Sequence, residues 1–407
     1  MSNTQTKNVP ELRFPGFEGE WEEKKLGNLT TKIGSGKTPK GGSENYTNKG
    51  IPFLRSQNIR NGKLNLNDLV YISKDIDDEM KNSRTYYGDV LLNITGASIG
   101  RTAINSIVET HANLNQHVCI IRLKKEYYYN FFGQYLLSRK GKRKIFLAQS
   151  GGSREGLNFK EIANLKIFTP TIFEEQQKIG QFFSKLDRQI ELEEQKLELL
   201  QQQKKGYMQK IFSQELRFKD ENGEDYPDWE NSKIEKYLKE RNERSDKGQM
   251  LSVTINSGII KFSELDRKDN SSKDKSNYKV VRKNDIAYNS MRMWQGASGK
   301  SNYNRIVSPA YTVLYPTQNT SSLFIGYKFK THRMIHKFKI NSQGLTSDTW
   351  NLKYKQLKNI NIDIPVLEEQ EKIGDFFKKM DILISKQKMK IEILEKEKQS
   401  FLQKMFL

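Results

Sequence analysis

Several stretches of this sequence have residue types and spacings that could do chemistry. Gly34-Ser35-Gly36-Lys37-Thr38 ends like the phosphate-binding loop G-x-x-x-x-G-K-T. That chemistry needs a glycine at position 31 and a helix starting at the lysine, so that its N–H groups face the phosphates. Position 31 is Thr31, and Pro39, Gly41 and Gly42 follow, so the stretch is expected to be a loop. His332 and His336 stand four apart, the spacing of two metal ligands on one helix face, but Arg333 replaces the glutamate of H-E-x-x-H. They read instead as part of a basic surface, Lys328 to Lys339. Cys119 lies in the apolar run Val118 to Leu123 and reads as core. There is no Asn-Pro-Pro-aromatic motif for adenine methylation and no glycine-rich methyl-donor loop, and fragments such as Glu22-Glu23-Lys24 are too common in a charged chain to mark a nuclease. The sequence offers no catalytic centre and no metal set.

Recognition chemistry remains. Lys plus Arg number 69 against 49 Asp plus Glu, a net charge of +20, and so large a surplus implies a polyanionic partner. Base edges are read by the arginine fork, on guanine, and by Asn or Gln amides, on adenine. In the first half such side chains cluster at Arg55, Ser56, Gln57, Asn58 and Arg60, at Arg101, at Asn115 and Gln116, and at Ser153 and Arg154. In the second half they are Arg292, Trp294 and Gln295, then Gln343, Thr346 and Ser347. Lysines and arginines elsewhere would touch phosphates, which positions without specifying.

Stepping outward, 11% aromatic residues within 407 argue for packed cores rather than disorder. A single cysteine and a polar start, Met1 to Asn8, point to the reducing cytoplasm. No run approaches eighteen apolar residues, so no membrane span is expected.

The chain also repeats itself. Residues 174–212 match 368–406 without a gap, at an offset of 194, with 18 identities in 39 pairs. Fainter matches join Glu11-Leu12-Arg13-Phe14 and Trp21 to Glu215-Leu216-Arg217-Phe218 and Trp229, Gly88-Asp89 to Asn284-Asp285, and Gly96-Ala97-Ser98 to Gly296-Ala297-Ser298. Each copy has about 150 residues of short strands, turns and a few helices (Tyr128 to Leu147 and Phe324 to Phe338 among them), then a long stretch without proline.

That stretch carries a heptad seam. Its a and d sites are Ile179, Phe183, Leu186, Ile190, Glu193, Leu197, Leu200, Lys204, Tyr207 and Ile211 in the first copy. In the second they are Ile373, Phe377, Met380, Ile384, Gln387, Ile391, Leu394, Lys398, Phe401 and Met405, with polar interruptions at the same two places. Two antiparallel helices, related by a pseudo-two-fold axis, are expected to pair, with Glu193 near Gln387 fixing register. At 1.5 Å per residue each is about 58 Å long, against a DNA turn of about 34–36 Å.

These segments resemble the specificity subunits of type I restriction–modification enzymes. The likeness is carried by Thr169-Pro170, Glu174-Glu175-Gln176-Gln177-Lys178-Ile179 and Phe182-Phe183-Ser184-Lys185-Leu186-Asp187. It recurs in Ile364-Pro365, Glu368-Glu369-Gln370-Glu371-Lys372-Ile373 and Phe376-Phe377-Lys378-Lys379-Met380-Asp381. The spacing differs slightly, with three residues between Pro170 and Glu174 and two between Pro365 and Glu368. The resemblance implies an α+β chain of two mixed α/β target-recognition domains joined by two long antiparallel coiled-coil helices. The expected boundaries are a polar tail at 1–10, domains at 11–168 and 215–363, and helices at 169–214 and 364–407. It further implies a bipartite, asymmetric double-stranded DNA site. Two adenine methyltransferase subunits holding S-adenosylmethionine and two ATP- and Mg-dependent translocase–endonuclease subunits would be the partners, with no cofactor on this chain. The alternatives are an autonomous DNA-modifying enzyme and a coiled-coil scaffold that binds no nucleic acid.

Overall fold

The structure, a computed structural model, describes residues 8–149, 156–266 and 274–407. It divides into two compact units, one of residues up to Glu194 together with Met389–Leu407, the other Gln195–Lys388. The two boundaries fall inside the two long helices, Phe173–Phe212 and Leu367–Lys404.

Both units are built from the same three sheets. In the first, Glu22–Lys25 pairs antiparallel with Lys166–Thr169, directly before the long helix. Strands Thr30–Ser35, Val118–Leu123, Val90–Asn93 and Thr102–Ile104 form an antiparallel sheet in that spatial order. Strands Val70–Ile72, Ile51–Leu54, Ala112–Leu114 and Arg84–Thr85 form another, whose central pair is parallel. The second unit repeats every pairing. Glu230–Lys233 lies on Asn361–Ile364. Leu238–Glu240, Tyr311–Pro316, Ile286–Asn289 and Ser298–Lys300 follow one another in the antiparallel sheet. Gly258–Lys261, Met250–Thr254, Arg305–Val307 and Lys279–Val281 make the mixed one, again with a parallel central pair.

The repeated turns have repeated causes. Gly88 (φ +86°) and Asn284 (φ +72°) are both left-handed, which glycine and asparagine tolerate best. Each is followed by a buried aspartate held by an arginine fork, Asp89 by Arg122 and Asp285 by Arg241. The two long helical stretches of the heads each break once. Tyr129–Leu137 and Arg139–Leu147 are separated at Ser138, whose hydroxyl caps Gly141 N at 3.1 Å. Ser322–Lys328 and His332–Asn341 are separated before Thr331, which caps Met334 N at 3.4 Å. An apolar period running through both breaks hid them, and the capping hydroxyls fix them.

Within each unit the long helices run antiparallel. In the first, Phe183 stacks on Phe406 at 5.7 Å, Asp187 binds Lys398 at 2.5 Å and Glu193 pairs with Lys390. In the second, Phe377 stacks on Phe212 at 5.8 Å, Lys204 binds Asp381 at 2.5 Å and Tyr207 meets Phe376 edge-on. The lysines that interrupt the heptads therefore complete cross-helix ion pairs. Of the expected seam, Ile179, Phe183, Ile190, Ile211, Ile373, Phe377, Met380, Ile384, Gln387, Ile391, Leu394, Lys398 and Met405 are buried, and Leu186, Glu193, Leu197, Leu200, Lys204 and Phe401 are half-buried. Tyr207 departs from it at 38% exposure, and Phe212 and Phe406, one residue past the last seam positions, enter the cores instead. A helix of 3.6 residues per turn drifts off a 3.5-residue seam, which turns its last turn.

Candidate nucleic-acid interface

The segment E-E-Q-x-K-I-G-x-F-F, read twice in the sequence, is the joint between head and helix. Glu175 is buried and accepts from Arg13 Nε and Nη2, both at 2.8 Å, and from Trp21 Nε1 at 3.3 Å. Glu369 accepts from Arg217 Nε and Nη2 at 3.2 and 2.7 Å and from Trp229 Nε1 at 3.2 Å. Each carboxylate is thus paired and hydrogen-bonded, as a buried charge requires, and each glutamate holds its arginine above the ordinary guanidinium range. The next residue clips the head: Gln176 accepts from Tyr128 N and donates to Pro170 O, and Gln370 accepts from Ser321 N and donates to Pro365 O. Asp187 also accepts from Gln134 at 2.8 Å, and Asp381 from the Tyr327 hydroxyl at 2.7 Å. The pairing of Arg13 and Arg217 with the first helical turns was not foreseen, although both arginines and both tryptophans stand in the weak repeat.

On the first head, the amide- and arginine-rich segments leave adjoining strands at one edge. Leu54 and Leu114 are partners in the parallel pair, so Arg55 and Asn115 emerge side by side, with Asn115 N bonded to Leu54 O at 3.1 Å. The buried Asn93 donates to Ser56 O at 2.9 Å, and its backbone N–H bonds Arg101 O, which joins Arg101 to the same edge. Gln57, Arg60 and Gln116 are exposed. Arg55 is half-buried, with Nη2 on Asp68 O at 2.9 Å and its guanidinium 5.6 Å from the Tyr46 ring.

Two expected contact residues are corrected. Asn58 is fully buried, accepting from Arg55 N and donating to Asn65 O, both at 2.9 Å. Asn115 is 9% exposed, and its side-chain oxygen accepts from His117 N. Their side chains are spent on shaping the loops that present Gln57 and Gln116. Ser153 and Arg154 lie outside the described residues; Gly156 is bridged to Thr95 at this edge.

On the second head, residues about sixty apart in sequence are brought together. Leu352 N bonds Ser290 O at 2.8 Å, and Trp294 meets Trp350 edge-on at 5.2 Å. Arg292 donates to the Gln295 side chain at 3.2 Å, and Gln343 accepts from Gln356 at 3.0 Å. Arg292, Gln343, Thr346 and Ser347 are exposed, Trp294 and Gln295 half-buried.

The stretches that mimicked other chemistry resolve structurally. Gly36 N and Lys37 N are bonded to Val118 O and Leu114 O, so they form no phosphate cradle. A Cβ on Gly36 would lie 1.9 Å from Leu114 O, so this glycine allows close strand approach. Burial pushes the Cys119 thiol up to about 12. His332 and His336 lie exposed on helix His332–Asn341. Among the described residues no group of three or more His, Cys, Asp and Glu could hold a metal, and no helix is long and apolar enough to cross a membrane.

One frame built twice, carrying different arginine- and amide-bearing loops on each head, defines a duplicated recognition protein. The chain belongs to the type I restriction–modification specificity family: the model of the "Type I restriction modification DNA specificity domain" matches residues 18–202 and again 226–396. It is 25% identical over 418 residues to the "Putative type I restriction enzyme MjaX specificity subunit" of Methanocaldococcus jannaschii, covering 99% of this chain and 94% of that one. It is 31% identical over 144 residues to the type I restriction enzyme EcoBI specificity subunit of Escherichia coli, covering 34% of this chain and 30% of that one. In fold it matches the type I S subunit from M. genitalium, with a TM-score of 0.60 at 14% identity over 98% and 99% of the two chains. A chain from a structure of type I R-M complex assembly and conformational transition matches with a TM-score of 0.53 at 15% identity, over 96% and 97%.

Proposed function

We propose that this chain is the DNA sequence-reading subunit of a type I restriction–modification assembly, each unit reading one half of a bipartite, asymmetric site. The observation that carries this reading is the contrast within each repeat. Strand order, helix joint and cross-helix ion pair recur, whereas the loops at Arg55–Arg60, Asn115–Gln116, Arg292–Gln295 and Gln343–Ser347 do not. A shared frame with unlike loops suits two readers of different base sequences. In this reading Gln57, Arg60, Arg101 and Gln116, with Arg292, Gln295, Gln343, Thr346 and Ser347, face the DNA; Arg55, Ser56 and Trp294 support them.

The chain would do no chemistry itself. Adenine methyltransferase subunits, holding S-adenosylmethionine, and translocase–endonuclease subunits, using ATP and Mg, would supply it in the cytoplasm. Exposed apolar residues on the long helices, Leu192, Met389 and Ile393 in the first unit and Leu199, Ile382 and Leu383 in the second, offer surface for those partners. The test is co-expression with the cognate methyltransferase, followed by genome-wide mapping of methylated adenine. One split motif is expected; purified chain that methylates or cuts DNA alone, or an unsplit motif, would contradict the proposal.

A further inference from the structure

One leucine of the second head points entirely into solvent. Leu345 is 102% exposed, yet the loop that carries it is firmly built. Gln343 and Asn351 close it with two backbone hydrogen bonds of 3.0 and 2.8 Å. Across its interior Thr349 N bonds Thr346 O at 3.0 Å, and the Thr349 hydroxyl both donates to Thr346 O and accepts from Thr346 N. Gly344 takes φ +153°, and a Cβ there would lie 2.6 Å from Thr349 O. A built tip that displays a large aliphatic side chain forgoes its burial in the free protein and leaves that apolar surface available to a partner.

The surroundings identify the partner. From 332 to 358 the chain carries Arg333 and five lysines against the single acid Asp348. Trp350, inside the same closed loop, meets Trp294 edge-on, with Lys339 Nζ 5.7 Å from the Trp350 ring. An aliphatic point on a cationic, aromatic base is what enters a base step. Leucine is among the side chains that wedge between stacked bases, partly unstacking them, while neighbouring cations hold the phosphates. We propose that Leu345 is such a wedge, inserted into duplex DNA when the second unit binds its half-site, with Lys339 and the tryptophan pair at its loop. This rests on the DNA-reading role proposed above, and adds that the second head deforms what it reads.

The test uses the full chain and duplexes carrying the mapped half-site, with 2-aminopurine placed at successive positions. Binding and its salt dependence are followed in the same titrations. Fluorescence should rise severalfold at one step only. Leu345→Ala should abolish that rise while leaving the salt slope of binding unchanged, and Leu345→Phe should keep it. If the duplex is bound without any rise, or if Leu345→Ala retains it, the wedge is wrong and the DNA-reading role stands. If no duplex is bound at any salt concentration, the DNA-reading role falls and the wedge with it. If Leu345→Ala leaves DNA binding and fluorescence intact but loses co-purifying methyltransferase, the leucine covers a protein contact and the wedge is overturned.

Discussion

The two units differ least where they are mechanical and most where they face outward. Both anchor the long helix by a buried glutamate between an arginine and a tryptophan, and both cross the helices by an aspartate–lysine pair. Four positions beyond the shared phenylalanine anchor the cores already diverge. Phe131 and Phe324 pack alike on Trp21 and Trp229, and Gln134 and Tyr327 bond equivalent aspartates. The next residue is Tyr135 in one unit, against Phe406, and Lys328 in the other, its ammonium 4.7 Å from Trp229 and 5.3 Å from Phe212. Duplication preserved the joints that transmit position and let the packing behind the loops drift.

The largest test of that symmetry is the glutamate. Glu175→Ala and Glu369→Ala should each destabilise the unit concerned by about 3–5 kcal/mol, because each takes the hydrogen-bonded carboxylate from an arginine with little exposure. Hydrogen exchange resolved by unit would show the two losses, and a neutral result in either would break the equivalence.

The helix glycines should behave differently. A Cβ on Gly180 would meet Tyr128 Cε1 at 2.6 Å and Phe131 N at 2.8 Å, whereas the nearest atoms to one on Gly374 are those of the Leu323 side chain, at 3.1 Å. Gly180→Ala should cost roughly 1–3 kcal/mol by overpacking. Gly374→Ala should fall within about 1 kcal/mol of neutral, since alanine is the better helix former. Equal effects from urea titration would mean that the joints are packed alike after all.

Next comes the Lys328–Tyr135 contrast. Burial pulls the Lys328 ammonium down to about 8, while burial pushes the Tyr135 hydroxyl up from its ordinary value. Between pH 8 and the normal lysine range the folded second unit sheds its proton before the unfolded chain does, so its stability should rise with pH. Lys330, also pulled to about 8, adds to the rise. The raised tyrosine acts oppositely and only above about pH 10. Lys328→Met should therefore stabilise by about 1–2 kcal/mol at pH 7 and shrink the rise between pH 8 and 10. Tyr135→Phe should leave that window unchanged in pH-dependent unfolding.

The smallest effect is expected at the ion pairs. Lys398 and Asp187 have side chains 11% and 21% exposed, against 25% and 46% for Lys204 and Asp381. Lys398→Met should cost about 1–2 kcal/mol and Lys204→Met under about 1 kcal/mol after solvent screening. Melting curves showing the reverse order would invert the ranking.

The helices and the duplication were legible because heptads and a gapless repeat are local signals. The sheets were not. The apolar runs at Val90 and Val118 read as strands, but Val90–Asn93 is buried at every position and so lacks the period-two alternation that would show how it pairs and packs. Strand Ile51–Leu54 finds its parallel partner sixty residues on. At the arginine- and amide-bearing edge of the first head, residue type was legible but exposure was not. Gln57 and Asn58 are adjacent amides, as are Asn115 and Gln116, yet in each pair one faces solvent while the other is consumed by the backbone of its own loop.

The most direct test of the two-reader account is to replace residues 30–165 with those of a relative of different specificity and map methylated adenines genome-wide. The account predicts a new first half, with the other half and the gap length unchanged. A motif altered on both sides, or a changed gap with methylation intact, would contradict it.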